Sequence, residues 1–136
     1  IVFDQTTPHL TAPTVHLDNE EGGFMATEHL LEQGYKRIAI LAGPKNLGIS
    51  NSRMDGYMNA LKKYKIKPDP TLMIHCDFNQ DYAYFATEEL LAMKKKPDAI
   101  FAISDRMGIG ASLAIKKKGL SMPDDIALLV LSRNLP

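Results

Sequence analysis

At 136 residues and 45% hydrophobic side chains, the chain has room for about one ordinary domain built round one core, which excludes a disordered polypeptide. Sixteen Lys and Arg balance sixteen Asp and Glu, so the basic excess of a nucleic-acid-binding domain is missing and this chain is not expected to grip DNA itself. The single cysteine, Cys76, excludes an internal disulfide, and no apolar stretch approaches the roughly 18 residues of a bilayer span. The chain starts at Ile1 rather than Met, inside what reads as a strand, and is therefore expected to be a fragment; its amino terminus has no basic-then-apolar signal pattern.

Residues 1–18 combine the apolar Ile1 to Phe3 with a turn-like run carrying two prolines, and are expected to be the remnant of a neighbouring lobe with an unpartnered edge open to pairing with another copy. Strands are predicted over residues 14–17, 37–42, 72–76, 99–103 and 126–131, with a helix in each gap between the last four. A first helix follows Asp18 and Asn19 as capping residues, carries Glu20 and Glu21 in its opening turn and stops at Gly34. The second is predicted to start near Ser50 or Asn51 and to bury Met54, Tyr57, Met58 and Leu61; it ends before the turn Lys67-Pro68-Asp69-Pro70. The third runs from about Gln80 to Met93 with Tyr82, Phe85, Ala86, Leu90 and Met93 on its inner face, and Pro97 prevents continuation. The fourth opens at Ser104 or Asp105 and turns Met107, Ala111, Ala114 and Ile115 inward. Near-continuous apolar strands alternating with such helices predict an α/β fold, a doubly wound parallel sheet flanked by helices, over residues 19–136.

Ligands of such sheets sit beyond the carboxyl ends of the strands. Arg53 is predicted there, in the first turn of the second helix, where a cation opposes the helix dipole. A lone arginine is ordinarily a surface residue, but this placement after the polar loop from Lys45 to Ser52 makes it a candidate to fix a ligand's pose through its fork of donors. Asp105 is either an ordinary helix cap or a ligand contact, or both, because a cap uses only part of a carboxylate's acceptor capacity; Ser104 beside it is a smaller donor and acceptor. Phe78, just past a strand end, is either a packing residue or an exposed ring for stacking on a sugar or heterocycle.

Other chemistries find little support. Gly43-Pro44 with Gly48 lacks the Gly-Lys-Ser/Thr of a phosphate loop, and Gly108 and Gly110 lie inside a helical run rather than in a dinucleotide-binding turn, so no nucleotide cofactor is expected. His9, His16, His29 and His75 show no metal-ligand spacing and read as structural or surface residues, so no metal is expected either. No G-x-S-x-G elbow exists and Ser104 has no histidine in view, so an enzyme is not expected. The lysines at 94–96 and 116–118 sit at helix carboxyl ends, where cations are locally favoured.

Several segments, in order and spacing, resemble the effector-binding core of the lactose repressor/galactose repressor (LacI/GalR) family of bacterial transcription regulators. They are V-H-L-D-N-E-E-G at 15–22, E-H-L-L-E-Q-G-Y-K-R-I-A at 28–39, L-A-G-P at 41–44, S-R-M-D-G-Y-M-N-A-L at 52–61, I-F-A-I-S-D-R-M-G-I-G-A at 100–111 and G-L-S-M-P-D-D-I-A at 119–127. The resemblance implies one lobe of a periplasmic-binding-protein-like two-lobed sensor that closes over a small molecule, often a sugar or purine. It also implies a cytoplasmic homodimer that reads operator DNA through a helix-turn-helix domain absent from this chain. By that resemblance Arg53 matches the family's main effector-binding arginine and Phe78 falls near its stacking aromatic; Ser104 replaces a frequent ligand-contacting asparagine, and Asp105 matches the acid after it. At the carboxyl end the family usually has Gly-aromatic-Asp, whose acid contacts the effector; here Ser132 stands in its place, so either the specificity differs or the tail is not native. A periplasmic sugar-binding protein of a transporter shares this architecture and is the alternative reading.

Overall fold

The computed structural model describes residues 2–4, 19–45 and 48–132. The predicted strand at 14–17 lies outside them. Five strands form one parallel sheet in the order β1-β5-β4-β2-β3, where β1 is Val2–Asp4, β2 Ile38–Ala42, β3 Met73–His75, β4 Ala99–Ala102 and β5 Ala127–Ser132. Four helices connect and flank them: α1 (Asn19–Glu32), α2 (Gly48–Lys63), α3 (Gln80–Leu91) and α4 (Asp105–Lys117).

β2 and β4 are buried at every position, as strands covered on both faces must be. The chain leaves β2 towards β3 and then returns past β2 to β4 and β5, so right-handed crossovers put α2 on one face and α3 and α4 on the other. Packing agrees: α1 lies against α2, and α3 against α4. The expected doubly wound α/β layer is therefore present, and its direction of winding reverses between β2 and β4.

Two features of the start of the chain and of α3 differ from expectation. Val2–Asp4 pairs in parallel on one side with β5 of the same chain, Val2 opposite Val130 and Asp4 opposite Ser132, and its other side is the edge of the sheet among the described residues. α3 turns Ala83, Thr87, Leu90 and Leu91 inward, while Tyr82 and Phe85 are 55% and 60% exposed. The reason is the closeness of α3 and α4: a methyl group on Gly110 would come within 2.2 Å of the Gln80 carbonyl oxygen and 3.0 Å of Ala83 Cβ. No aromatic ring fits such a seam, so the small face packs and the aromatic face turns out. α4 buries Met107, Ala111, Ala114 and Ile115 as predicted.

Opposite the strands' carboxyl ends, the Asp98 carboxylate accepts from the backbone amides of Lys36 and Arg37 at 2.9 and 3.0 Å, tying the entry of β2 to that of β4. Tyr57, buried on α2, donates its hydroxyl to the Ile38 carbonyl at 2.5 Å. Burial, with help from the Asp69 charge and against that of Arg37, pushes this phenol well above its ordinary range. An unfolded chain ionises its tyrosines near pH 10 while the folded chain keeps this one protonated, so the contribution of Tyr57 to stability is full below pH 10 and is lost as pH rises beyond it. Tyr57→Phe should therefore cost about 1 kcal/mol at pH 8, the usual net worth of one hydrogen bond, and flatten the loss of stability above pH 10. Urea denaturation of both proteins at the two pH values measures this.

Candidate functional site

The winding reversal between β2 and β4 leaves a crevice beyond their carboxyl ends, because the loops leaving the two strands run to opposite faces of the sheet. Arg53 spans it. Its side chain is 2% exposed, and Nη1 donates to the carbonyl oxygen of Ile103, the residue after β4. The guanidinium is thus fixed at the mouth of the reversal point by the backbone that leaves β4.

α2 opens at Gly48, two residues before the predicted start, so Arg53 lies in the second turn and not the first. The dipole effect fades within one turn. What marks the residue is burial of a cation at the crevice.

The backbone that carries Arg53 is held by glycine contacts. A methyl group on Gly23 of α1 would sit 2.3 Å from the Arg53 carbonyl oxygen, and one on Gly56 of α2 would sit 2.1 Å from the Glu20 carbonyl oxygen. The helices therefore cross backbone to backbone at the turn that bears the arginine.

Phe78 follows β3 and precedes Asn79, whose side chain caps α3 by accepting from the Asp81 amide at 2.7 Å. Its ring is half-buried. A methyl group on Gly43, the residue after β2, would come within 2.4 Å of Phe78 Cζ and 2.3 Å of Ser50 Oγ. Gly43, Ser50 and Phe78 thus converge on one point at the end of β2. His75 Nδ1 lies 3.1 Å from the Gly43 carbonyl oxygen, and since a carbonyl only accepts, Nδ1 carries the proton. This histidine is structural, as expected. Beside it, burial first and then the charge of Asp77 push the Cys76 thiol up to about 11, so it stays protonated at neutral pH.

Ser104 caps α4, its Oγ accepting from the Met107 amide at 3.3 Å. The cap is thus Ser104, and Asp105 is the exposed first residue of the helix. Asp105 lines a groove of about 620 Å³ between α4 and β5, with Ile109, Leu113, Leu128 and Val130. Ser132 closes β5 at the same end of the sheet, opposite Asp4 in register.

Two participants escaped the sequence reading. Gly43 was weighed only against phosphate loops, although a glycine directly after a buried strand is a signal of close approach. Ser50 is fully buried and its Oγ has no hydrogen-bond partner among the described residues; nothing in its local sequence announces this. Among the described residues no three His, Cys, Asp or Glu converge to hold a metal ion. No helix among them is long and apolar enough to cross a membrane.

The chain is similar to known proteins over nearly its whole length. Residues 1–134 match the model of periplasmic binding proteins and the sugar-binding domain of the LacI family. Over 129 residues, 95% of this chain and 38% of its relative, the sequence is 36% identical to the HTH-type transcriptional repressor CytR of Escherichia coli K12. Among solved structures, the transcriptional regulator CelR in complex with cellobiose superposes with a TM-score of 0.78 at 35% identity, covering 93% of this chain and 40% of that one. A LacI-family regulatory protein from Chloroflexus aggregans gives 0.80 at 29% identity, over 93% and 46%. The chain spans less than half the length of the relatives it matches. It belongs to the family of periplasmic binding proteins and LacI-type sugar-binding domains.

Proposed function

We propose that this chain is the second, effector-binding lobe of a LacI-type bacterial transcription regulator, sensing a sugar or purine-type small molecule to modulate operator binding by a helix-turn-helix domain outside residues 1–136. The observation that carries the reading is Arg53, buried at the winding reversal and bonded across it to Ile103. The transporter alternative is disfavoured, since the matched relatives are HTH-type repressors and regulators. The binding of cellobiose by CelR supports a small polar effector. On this reading the lobe binds without turnover, residues 1–18 come from the preceding lobe and crossover, with Val2–Asp4 joining the edge of this lobe's sheet beside β5, and the parent protein is cytoplasmic.

Effector binding shifts a regulator between two conformations only as far as it binds one better than the other. Phe78 supplies the stacking wall, with Arg53, Ser104, Asp105 and Ser132 as polar contacts from the same end of the sheet. A homodimer fits the exposed apolar side chains of α3 and α4, Tyr82, Phe85, Ile109 and Leu113, which a monomer would leave in water.

The test is operator binding by the intact protein that contains this chain, titrated with a panel of sugars and nucleosides. One class should change operator affinity at least tenfold, a coupling of about 1.4 kcal/mol. Phe78→Ala should weaken that effector about two- to tenfold, the scale of one lost aromatic contact of about 0.5–1.5 kcal/mol. Turnover of a compound with no change in operator affinity would contradict the reading.

A further inference from the structure

We propose that the effector is an anion-bearing polyol, a sugar acid or sugar phosphate, whose carboxylate or phosphate seats at the amino end of α2 on the Ser50 hydroxyl. The inference rests on the effector-binding reading above and adds the chemical class of the ligand.

α2 is sixteen residues long, and its first-turn amides have no intrahelical acceptor, so that end carries roughly half a positive charge. The other three helices meet the same situation with acids: Glu20 and Glu21 in α1, Asp81 in α3 and Asp105 in α4. Asn79 and Ser104 also take up an amide of α3 and α4. α2 has no acid in its first turn.

The independent observation is Ser50. It occupies that first turn, is wholly buried, and its Oγ makes no hydrogen bond among the described residues. The hydroxyl points into the wedge over Gly43 and beside the Phe78 ring. An unmade buried hydrogen bond is costly, and a native chain keeps such a group where something outside the chain completes it. A hydroxyl has one proton to donate, which an anionic oxygen accepts more strongly than a neutral one.

Arg53 lies three residues further on, on the same helix face, and adds a full positive charge; Lys45, exposed in the preceding loop, adds another. At the end of β5 the chain has Ser132 and no acid. The acceptor-rich end is across the crevice, at Ser104 and Asp105, which suits hydroxyl groups rather than an anion. The two ends thus ask for one molecule with an anionic head and a hydroxylated body. Ser50 is enclosed where Gly43 and the Phe78 ring meet it, so the head seats only as that contact opens.

The experiment uses the intact protein and four probes, inorganic phosphate, gluconate, glucose 6-phosphate and the neutral glucose that matches the last two, each titrated by calorimetry. Phosphate should bind saturably, and at least one anionic partner of a pair should bind tenfold or more tightly than glucose, as a charge-assisted hydrogen bond of about 1.5–3 kcal/mol requires. Ser50→Ala should weaken phosphate binding about tenfold while leaving the unfolding midpoint unchanged or raised, because it deletes an unpaired buried hydroxyl. Failure of phosphate to bind, glucose binding as well as both anions, or Ser50→Ala without effect on phosphate would each overturn the inference. The regulator reading fails separately, by absence of any operator response.

Discussion

Arg53→Ala in the intact protein is expected to abolish the effector response while operator binding persists. The side chain is buried, and its removal both empties the mouth of the crevice and deprives the Ile103 carbonyl of its donor. Loss of one partner from a buried charged hydrogen-bonded contact costs about 2–5 kcal/mol, which corresponds to a loss of effector affinity of about 30-fold to several thousandfold. Arg53→Met, which keeps most of the volume, should lose the response equally with less loss of stability, because the fork of donors is the functional part. Arg53→Lys should not restore it, since an ammonium lacks that fork. Titrating each variant with effector and with operator separates lost recognition from lost folding, and an unchanged effector response would remove Arg53 from the site.

Gly56→Ala should destabilise the lobe by about 1–3 kcal/mol, the range for overpacking a well-packed contact, against total stabilities of about 5–15 kcal/mol. Two effects compete. Alanine is favoured over glycine in a helix by about 1 kcal/mol. Against that, the new methyl would stand 2.1 Å from the Glu20 carbonyl oxygen and 2.5 Å from the Phe24 nitrogen. Both are backbone atoms of α1, which cannot rotate aside as a side chain would, so the helices must separate and the steric cost wins. Gly23→Ala meets the Arg53 backbone itself at 2.3 Å and should displace the arginine as well. Urea unfolding measures the first effect, effector affinity of the Gly23 variant the second; a Gly56→Ala protein as stable as the parent would mean that the helices slide without cost.

Much of this was legible in the sequence, and what was not has physical causes. β2, β4 and β5 appear as apolar runs because strands buried on both faces need no alternation. Ser104 was readable as a candidate because it follows directly on β4 and Phe78 because it comes just after β3, whereas Arg53, eleven residues beyond β2, was singled out by its charge after a polar loop. The start of α2 was not, since Gly48 and Ile49 are poor helix openers and Leu47 is no cap. The inner face of α3 was misassigned because a hydrophobicity pattern ranks Tyr82 and Phe85 above Ala83 and Thr87, whereas the seam with Gly110 admits only small groups. The pairing of Val2–Asp4 with β5 joins residues about 128 positions apart, beyond the reach of local pattern. Ser50 and Gly43 emerged only from the fold, because the loss of hydrogen-bond partners by a serine is decided by what packs over it.

On the proposed function a small molecule is held where β2 and β4 part, by groups from α2, the loop after β3 and the start of α4. Amide hydrogen exchange of the intact protein, with and without the sugar or nucleoside that changes operator affinity, tests it most directly. Protection is predicted at residues 43–45, 48–53, 78–80 and 103–107, the segments round that crevice. Protection confined to the groove between α4 and β5, with those segments unchanged, would contradict the account.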